Sequence, residues 1–319
     1  MALAIICSGG DAPGMNPAVK KFVDYAYKLG EEPYLIYDGL EGLIDNKIKP
    51  AHHEDVAGIL HRGGTIIRSS RSERFYDYEF RRQAYNNLKN NGITGLVVLG
   101  GDGSFRAMEK FSSEFDLNFV GIPSTIDNDI YGTEYCLGVD TALNVIRDAL
   151  DKIRDTASSF NRAFLVEVMG RHCGYLAIVS AMVSGAEVCI IPEAEFEYEK
   201  QGKRLREEVE SGRNYVLAIV AEGTNQTSEV HKWLQDTIGL ETRVSILGHI
   251  QRGGNPTVRD RMMAFDFTIT AINHLLSHDN SNKMVAYQKG EFKLIEIKEV
   301  VSSQYQLPQR FLDAVSLLD

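Results

Sequence analysis

The sequence has few cysteines and no excess of positive charge, and each shortage excludes a class of protein. Its 319 residues include four cysteines, and no two of them form a C-x-x-C pair. Neither a zinc site nor a redox motif is therefore indicated, and reduced core cysteines are expected. The 34 Lys and Arg against 44 Asp and Glu give a net charge of −10. This charge disfavours binding to nucleic acids or anionic membranes, but not a small anion held by a few arginines.

Long hydrophobic runs are also missing. No stretch of about 18 apolar residues is present, so no transmembrane helix is expected. The apolar start, MALAIICSGGDAPG, lacks a basic region and runs into a glycine-rich turn, which predicts a buried first strand rather than a signal peptide. With 44% hydrophobic and 24% charged residues, the composition is typical of a globular, cytoplasmic protein of about two domains.

Short apolar runs alternate with amphipathic stretches along the chain. The predicted strands are 3–8, 34–37, 95–99, 119–122, 163–168, 188–191, 216–221 and 243–247. Predicted helices lie between them, among them 17–29, 52–62, 79–91, 105–114, 139–158 and 258–277. Residues 284–287 and 292–295 are predicted to form a hairpin. This alternation predicts an α/β protein with mainly parallel sheets, whose ligands bind at loops beyond the carboxyl ends of the strands.

Three loops that follow predicted strands have residues suited to phosphate chemistry. Residues 8–16 (SGGDAPGMN) and 100–104 (GGDGS) would let backbone N–H groups approach a phosphate, although the first is neither a Walker A nor a G-x-G-x-x-G loop. In 123–129 (PSTIDND), one of two carboxylates could take the proton of an attacking hydroxyl while the other assists a metal. Each loop taken alone could equally be an ordinary turn, but acidic loops lying close together would favour a bound cation.

Basic side chains flank several predicted strands, namely Arg71, Arg162, Arg171, Arg243, His249 and Arg252. Arginine forms bidentate, charge-assisted bonds with phosphate oxygens. Arg162 and Arg243 lie at the starts of strands. Arg171 and Arg252 follow strand ends, so a single subunit is not expected to bring the two pairs to one edge of a sheet. A site shared across a subunit interface would resolve this geometry. Glu222, after another strand, could accept hydrogen bonds from sugar hydroxyls or be an ordinary exposed glutamate.

Taken together, six blocks resemble the bacterial type of the ATP-dependent 6-phosphofructokinase family. They are, in order from Ser8 to Gly254, SGGDAPGMN, GGDGS, PSTIDNDI, VEVMGRHCG, AEG and LGHIQRGG. The resemblance implies two similar-sized, doubly wound (Rossmann-like) α/β domains with the active site in the cleft between them. Residues 1–138 plus 251–302 would bind ATP, and residues 139–250 plus 303–319 would bind fructose 6-phosphate.

The resemblance also implies a reaction and the residues that perform it. The γ-phosphoryl group of MgATP would pass to the 1-hydroxyl of fructose 6-phosphate, the committed step of glycolysis, giving fructose 1,6-bisphosphate and ADP. Asp127 would be the general base, Thr125 and Arg171 would steady the phosphoryl group, and Asp102 and Asp129 would hold Mg²⁺. The residues implied at the nucleotide phosphates are Gly10, Arg71, Ser72, Gly101, Asp102, Gly103 and Ser104.

The sugar phosphate would be held by a larger set, with Arg162 and Arg243 supplied by a neighbouring subunit of a homotetramer. The residues implied are Thr125, Ile126, Asp127, Arg162, Met169, Gly170, Arg171, Glu222, Arg243, His249, Ile250, Gln251 and Arg252.

Two positions favour ATP over pyrophosphate as the donor. Gly103 and Ser124 stand where pyrophosphate-dependent relatives typically carry Asp and Lys, and small residues leave room for a nucleotide. A pyrophosphate-dependent phosphofructokinase therefore remains an alternative that these residues oppose. Another kinase with a GGDG loop, or a nucleotide-binding regulatory subunit without activity, are further alternatives. The arginine-rich blocks oppose the former, and the presence of Asp102 and Asp127 opposes the latter.

The resemblance implies, finally, an effector site for ADP or phosphoenolpyruvate between subunits. The positions that match it are Arg154, Gly185, Glu187 and Arg213, and Lys20 replaces the usual arginine. Asp24, His53 and Ser211 stand where basic residues are usual. Each lost cation should cost a polyanion about 1–3 kcal/mol of binding free energy, which predicts a weak or absent allosteric response.

Overall fold

The chain folds into two compact α/β units. The computed structural model describes residues 1–277, 279 and 281–316. Among the described residues, the first unit contains 1–126, 130–141 and 252–305 without 278 and 280, and the second contains 127–129, 142–251 and 306–316. The assignment of one domain to the nucleotide and the other to the sugar stays a prediction.

Strands and helices alternate through both units, as the sequence pattern predicts. The strands are β1 (Ala2–Cys7), β2 (Glu32–Ile36), β3 (Ile48–Pro50), β4 (Ile93–Gly100), β5 (Phe119–Pro123), β6 (Arg162–Val168), β7 (Val188–Ile190), β8 (Val216–Ala221), β9 (Glu241–Ile246), β10 (Lys283–Gln288) and β11 (Glu291–Glu296). The helices are α1 (Met15–Lys28), α2 (Gly39–Ile44), α3 (Tyr78–Asn90), α4 (Asp102–Glu114), α5 (Val139–Phe160), α6 (Tyr175–Ser184), α7 (Tyr198–Glu210), α8 (Thr227–Ile238), α9 (Val258–Leu275), α10 (Ile297–Ser302) and α11 (Gln309–Ser316).

A seven-stranded sheet forms the core of the first unit, in the order β11-β10-β5-β4-β1-β2-β3. The pairs β10–β11 and β2–β3 are antiparallel, and the other neighbours are parallel. The inner strand β1 is buried throughout residues 3–7. Its side chains form a continuous apolar run because a parallel strand covered on both faces has no side facing water.

The second unit is built on a four-stranded parallel sheet in the order β7-β8-β6-β9. One face of β6 and β8, including Leu165 and Ala218, packs against Leu205 of α7 and Leu234 of α8. Strand β9 begins at Glu241, so Arg243 lies inside the strand and not at its start as expected.

In the first unit, one predicted helix does not form and two short elements were not predicted. The predicted helix over residues 52–62 is wrong, because only a 3₁₀ turn at His53–Val56 forms there. The turn is followed by Gly58, whose φ of 67° is left-handed and does not continue a right-handed helix. The sequence analysis also missed α2 and β3, which are too short to produce a periodic pattern.

A buried carboxylate fixes the first turn of α5. Asp260, at the start of α9, is fully buried and accepts hydrogen bonds from the Tyr135 hydroxyl (2.7 Å), from the Gly138 N–H (2.8 Å), and from both the N–H and the hydroxyl of Thr141. Burial raises the pKa of Asp260, and these four donors oppose that shift by favouring the charged form.

The remaining expectations about chain class concern cysteines and membranes. All four cysteines lie within the described residues, where they are buried free thiols, and burial raises the pKa of Cys7 to about 12. Among the described residues, no helix combines the length and apolar character that crossing a bilayer requires.

Candidate active site

Three loops meet at the carboxyl ends of β5, β4 and β1, which are neighbours in the first sheet. The Ser104 hydroxyl, in the first turn of α4, donates to the Ser8 hydroxyl after β1 at 2.9 Å. The Ser124 N–H, directly after β5, donates to the Gly100 carbonyl at 2.8 Å. The SGGD, GGDGS and PST segments singled out in the sequence are therefore in direct contact within the first unit.

Two glycines of these loops differ in their surroundings: Gly9 has a left-handed backbone and a close neighbour, whereas Gly103 faces open space. Gly9 has a φ of 82°, and a Cβ atom there would lie 3.2 Å from the Ser104 hydroxyl oxygen. A Cβ atom on Gly103 would meet no protein atom within 4 Å. Gly103 therefore borders open space beside the amino end of α4, where backbone N–H groups favour an anion.

Asp102 is the first residue of α4 and provides the carboxylate of the GGDG loop. Its side chain is 45% exposed, and Arg106 Nε donates to its Oδ2 at 2.7 Å. A carboxylate in the first turn is favourable to the helix itself, because the amino end carries a partial positive charge. Its exposure leaves oxygen lone pairs accessible to a cation as well.

Arg252 lies against the first glycine-rich loop. Its Nη1 donates to the Asp11 carbonyl at 3.3 Å, and a Cβ atom on Gly10 would lie 2.3 Å from the same nitrogen. A residue larger than glycine at position 10 would therefore displace the guanidinium. The assignment of Arg252 to the 6-phosphate of the sugar stays a prediction.

A buried asparagine supports the segment that leads to Arg71 and Ser72. Asn16 is 1% exposed, and its Nδ2 donates to the carbonyls of Arg62 and Gly63, each at 3.1 Å. Its Oδ1 accepts from the Ile66 N–H at 2.7 Å. Asn16 is the last residue of the SGGDAPGMN block, and its supporting role was not predicted from the sequence.

Of Arg71 and Ser72, which both lie in this segment, Ser72 already makes hydrogen bonds within the protein. The Ser72 hydroxyl donates to Glu41 and accepts from the Phe75 N–H at 3.1 Å, so it stabilises the turn before α3. The side chain of Arg71 is exposed. Both remain predicted nucleotide residues.

The loop after β6, which carries Met169, Gly170 and Arg171, is held from both sides in the second unit. On the β8 side, the Gly223 N–H donates to the Gly170 carbonyl at 3.3 Å, and a Cβ atom on Gly223 would lie 2.1 Å from the Arg171 carbonyl oxygen. On the β9 side, Gln251 Oε1 accepts from the Met169 N–H at 3.0 Å.

The predicted general base Asp127 and the predicted magnesium ligand Asp129 belong to the same unit as this loop. Asp127 and Asp129 flank Asn128, which is 2% exposed and adopts a left-handed φ of 53°. Burial raises the pKa of the Cys173 thiol, and the negative charges of Glu193, Asp129 and Asp127 raise it further. Cys173 and Arg171 both lie in the loop after β6, and the Asp127–Asp129 segment groups with the same unit.

An open cavity of about 900 Å³ lies at this edge of the second sheet. Arg171 and Glu222, both predicted to bind the sugar phosphate, line it together with Glu167, His231 and Ile246. The structure therefore brings two of the predicted substrate residues into one concave surface, at the carboxyl ends of parallel strands where ligands usually bind.

Arg162 and Arg243 lie elsewhere on the same sheet. Both donate to the carboxylate of Glu241, Arg162 through Nε at 2.6 Å. The hydrogen bond from Arg162, with smaller effects of both arginine charges, holds the pKa of Glu241 below its usual range. Arg162 begins β6 and Arg171 follows its end, so about 20 Å of strand separates them. The two arginines are brought together with each other and not with Arg171.

Sequence reasoning missed Glu241 entirely. A signal was present, because Glu241 and Arg243 are two residues apart in a strand and therefore share a face. The partner on β6 could not be read from the sequence, since it depends on the register in which Arg162 faces Glu241. Beyond the end of β9, His249 is exposed and Ile250 is 58% exposed.

Two of the cations predicted for an effector site are paired with acids, one in each unit. In the first unit, Asp24 accepts from Lys20 (3.0 Å) and contacts His53 Nδ1 (2.9 Å). The acidic residue that replaces a usual cation thus also engages two of the neighbouring bases. Little positive charge is left there for an anion.

In the second unit the paired cation is Arg213, whereas the Nε atom of Arg154 is buried without a hydrogen-bond partner among the described residues. Glu187 is 7% exposed and accepts from the Leu217 N–H at 2.7 Å and from Arg213, which also pairs with Glu208 at 2.8 Å. Burial raises the pKa of Glu187, while the Leu217 N–H and Arg213 lower it. Near them, a Cβ atom on Gly185 would lie 3.9 Å from Arg154 Nη2.

One α/β unit has glycine-rich loops at a helix amino end, and the other carries both the Asp127–Asp129 pair and the Arg171 loop. These are features of a phosphoryl-transfer enzyme. A family model described as phosphofructokinase matches residues 2–275. The chain belongs to the phosphofructokinase family and is a kinase, so the predicted family and α/β fold class are confirmed.

Phosphofructokinases from other organisms are similar to this chain over nearly its whole length. The ATP-dependent 6-phosphofructokinases of Sulfurovum sp. and Wolinella succinogenes are each 54% identical to it, over 97% and 99% of this chain and 95% and 98% of theirs. The structure of phosphofructokinase from Saccharomyces cerevisiae is similar with a TM-score of 0.89 and 34% identity, over 94% of this chain but 45% of that longer one.

A pyrophosphate-dependent relative shows the fold alone. The enzyme from Marinobacter aquaeolei has a TM-score of 0.85 over 99% of this chain and 91% of its own, at 19% identity. The two-unit architecture is therefore common to enzymes with different phosphoryl donors. The choice of donor depends on individual residues of the site.

Proposed function

We propose that the chain transfers the γ-phosphoryl group of ATP to the 1-hydroxyl of fructose 6-phosphate, giving fructose 1,6-bisphosphate and ADP. The observation that carries this proposal is that the Asp127–Asp129 segment groups with the second unit, which also carries the loop with Arg171. The unit therefore supplies both a base and a cation, as phosphoryl transfer requires. Relatives 54% identical over nearly their full length carry the name ATP-dependent 6-phosphofructokinase, which supports the same reaction.

In this mechanism, Asp127 accepts the proton of the sugar 1-hydroxyl as its oxygen attacks the γ-phosphorus of ATP. The bond between that phosphorus and the bridging oxygen breaks, and ADP leaves with the electron pair. Arg171, with Thr125, stabilises the negative charge on the phosphoryl oxygens during transfer. Positioning and electrostatic stabilisation account for most of the acceleration in reactions of this type.

The first unit is the proposed nucleotide domain. Gly101, Gly103 and Ser104 form the amino end of α4, which favours the triphosphate, and Gly10 lies in the neighbouring glycine-rich loop after β1. The open space beside Gly103 suits a nucleotide. Ser124 is 2% exposed, so the lysine of a pyrophosphate-dependent enzyme would begin at a buried position here.

A magnesium ion fits the donor chemistry of this chain. The exposed carboxylate of Asp102 is a hard oxygen ligand of the kind that Mg²⁺ prefers, and Asp129 is a second candidate. Among the described residues, no three His, Cys, Asp or Glu side chains are grouped to hold a metal, so phosphate oxygens and water would complete its coordination. When bound, the ion would neutralise phosphate charge.

The second unit is the proposed sugar-phosphate domain. Arg171 and Glu222 line its cavity, and Met169, His249 and Ile250 lie in loops at the same edge of the sheet. Because Arg162 and Arg243 lie about 20 Å of strand away, we propose that they serve the site of a neighbouring subunit in a homotetramer. A cytoplasmic location stays a prediction.

The proposed function is tested by incubating the purified protein with fructose 6-phosphate and MgATP in an aldolase-coupled assay. Production of fructose 1,6-bisphosphate is expected with ATP, and at least a hundredfold less with pyrophosphate at the same concentration. Activity with pyrophosphate alone would overturn the donor assignment. No product with either donor would overturn the reaction.

Glu241→Gln is expected to lower KM for fructose 6-phosphate about two- to fivefold with kcat unchanged. The neutral amide no longer competes with the 6-phosphate for Arg162 and Arg243, and exposed ion pairs have effects of this size. Initial rates at saturating ATP measure it. Glu197→Gln, which removes the exposed contact with Lys200 in the same unit, should leave KM unchanged. An unchanged KM in Glu241→Gln would show that the two arginines do not bind the sugar phosphate.

ADP and phosphoenolpyruvate, added up to about millimolar concentration, are expected to change the fructose 6-phosphate saturation curve less than twofold. The physical reason is that Asp24 already pairs with Lys20 and His53, and Glu187 with Arg213, which leaves less positive charge for a polyanion. Saturation curves with and without each effector measure the response. A sigmoidal curve that ADP converts to a hyperbola would contradict it.

A further inference from the structure

Gln251 is a polar side chain with no exposed surface, in the 3₁₀ turn Gly248–Arg252 that follows β9. Its Oε1 accepts from the Met169 N–H at 3.0 Å, and its Nε2 donates to the Gly248 carbonyl at 2.9 Å. Burying an amide is costly unless both its ends are bonded, and here both are. Within the same turn, His249 and Ile250 are exposed.

The two groups that Gln251 joins belong to loops with different proposed tasks. Met169 begins the loop that carries Arg171, which faces the transferred phosphoryl group in the proposed mechanism. Gly248 begins the turn that carries His249, proposed for the 6-phosphate at the other end of the sugar. The side-chain amide thus spans the two loops that hold opposite ends of one substrate.

The loop that begins at Met169 has a backbone conformation that a larger residue at position 170 could not adopt without displacing its neighbours. Gly170 has a φ of 130°, and a Cβ atom there would lie 2.4 Å from the Cys173 carbonyl oxygen. The Leu247 N–H also donates to the Glu167 carbonyl at 3.1 Å, so the ends of β6 and β9 are already in register. Beyond the ends of the two strands, the Gln251 amide joins the loop after β6 to the turn after β9 through hydrogen bonds.

We infer that Gln251 is a positioning residue, not a residue that contacts the sugar phosphate. Its amide sets the spacing between the turn that holds the 6-phosphate and the loop that holds Arg171. The inference rests on the proposed function, and it replaces the substrate contact that the resemblance implies for Gln251. Misplacing a reacting group by about 1 Å can cost a hundredfold in rate, so the role affects both binding and chemistry.

Gln251→Met removes both hydrogen bonds while keeping nearly the same length. We expect kcat to fall about tenfold and KM for fructose 6-phosphate to rise about tenfold, with KM for ATP unchanged. Gln251→Glu should retain more activity, because a buried carboxyl favours its protonated form and can then accept from Met169 and donate to Gly248. Gln201→Met, which removes an amide contact with Arg204 on α7, is the matched control and should match wild type.

Hydrogen exchange supplies a readout that does not depend on activity. The Met169 amide should be protected in the wild-type protein and should exchange at least tenfold faster in Gln251→Met. Fast exchange of Met169 in the wild type would overturn the inference even if Gln251→Met does not fold.

The kinetic outcomes separate the inference from the proposed function. A raised KM with unchanged kcat would indicate direct substrate contact and overturn the positioning role. Lower thermal stability with wild-type KM and kcat would overturn it in favour of a structural role. A wild-type protein that makes no fructose 1,6-bisphosphate would overturn the proposed function, while the exchange of Met169 would still decide whether Gln251 holds the loop.

Discussion

Replacing Asp127 with serine is expected to lower kcat about a thousandfold, while the affinity for ATP stays within about threefold of wild type. General base catalysis contributes roughly 10²–10⁴-fold, and serine cannot take the proton of the sugar hydroxyl at neutral pH. Nucleotide affinity is spared because the glycine-rich loops of the first unit are untouched. Steady-state kinetics give kcat, and titration with a non-hydrolysable ATP analogue gives the affinity.

A matched control is Asp151→Ser, which changes an exposed aspartate on α5 in the same unit. It should leave kcat and KM unchanged. If Asp127→Ser kept more than a tenth of the wild-type kcat, the base would be another group, and the role of the Asp127–Asp129 segment would need to be reassigned.

Replacing Gly223 with alanine is expected to lower kcat/KM for fructose 6-phosphate about a hundredfold. The added Cβ atom would lie 2.1 Å from the Arg171 carbonyl oxygen and 2.8 Å from that of Gly170. Both neighbours are backbone atoms, so the loop carrying Arg171 must move, and a shift of about 1 Å has an effect of this size on rate. Initial rates across fructose 6-phosphate concentrations measure it.

Gly239→Ala separates loss of geometry from the general cost of replacing a glycine. Gly239 caps α8 with a φ of 67°, and a Cβ atom there meets no atom within 4 Å. Alanine should cost about 1 kcal/mol of stability through backbone strain and leave kcat/KM unchanged. A Gly223→Ala enzyme with wild-type kcat/KM would mean that the loop does not need the position it occupies.

The sequence predicted the positions of candidate site residues well where they directly follow an apolar strand, because the strand then indicates where those residues lie. Strands such as β1, β4 and β8 are continuous apolar runs because they are buried on both faces, and their ends are marked by glycines. The predicted residues Gly10, Gly103 and Ser104 follow those ends directly. Loop segments after parallel strands converge at one edge of a sheet, which is why reading the strand ends also found most candidate site residues.

Features that depend on distant partners could not be read in this way. Arg252 lies on the loop of Gly10 and Asp11, which is some 240 positions earlier in the chain. Glu241 joins Arg162 to Arg243 only because β6 and β9 pair in one particular register. The burial of Gln251 depends on the direction of one side chain within a short turn. Local composition does not encode these contacts, and tertiary packing determines them.

The predicted helix over 52–62 shows the converse error. Val56 and Ile59 are buried and have a spacing that a helix would also give. Gly58 lies between them with a left-handed φ, and the chain turns there instead. Buried apolar residues at helical spacing are therefore insufficient when a glycine separates them.

The most direct test of the proposed reaction is a ³¹P NMR time course with the protein, fructose 6-phosphate and MgATP. Loss of the γ-phosphate signal should be matched, one for one, by a new phosphomonoester signal at carbon 1 of fructose 1,6-bisphosphate and by ADP. Release of inorganic phosphate without the new monoester would mean that water, and not the sugar hydroxyl, is the acceptor. That result, or an unchanged spectrum, would contradict the phosphofructokinase activity proposed for this chain.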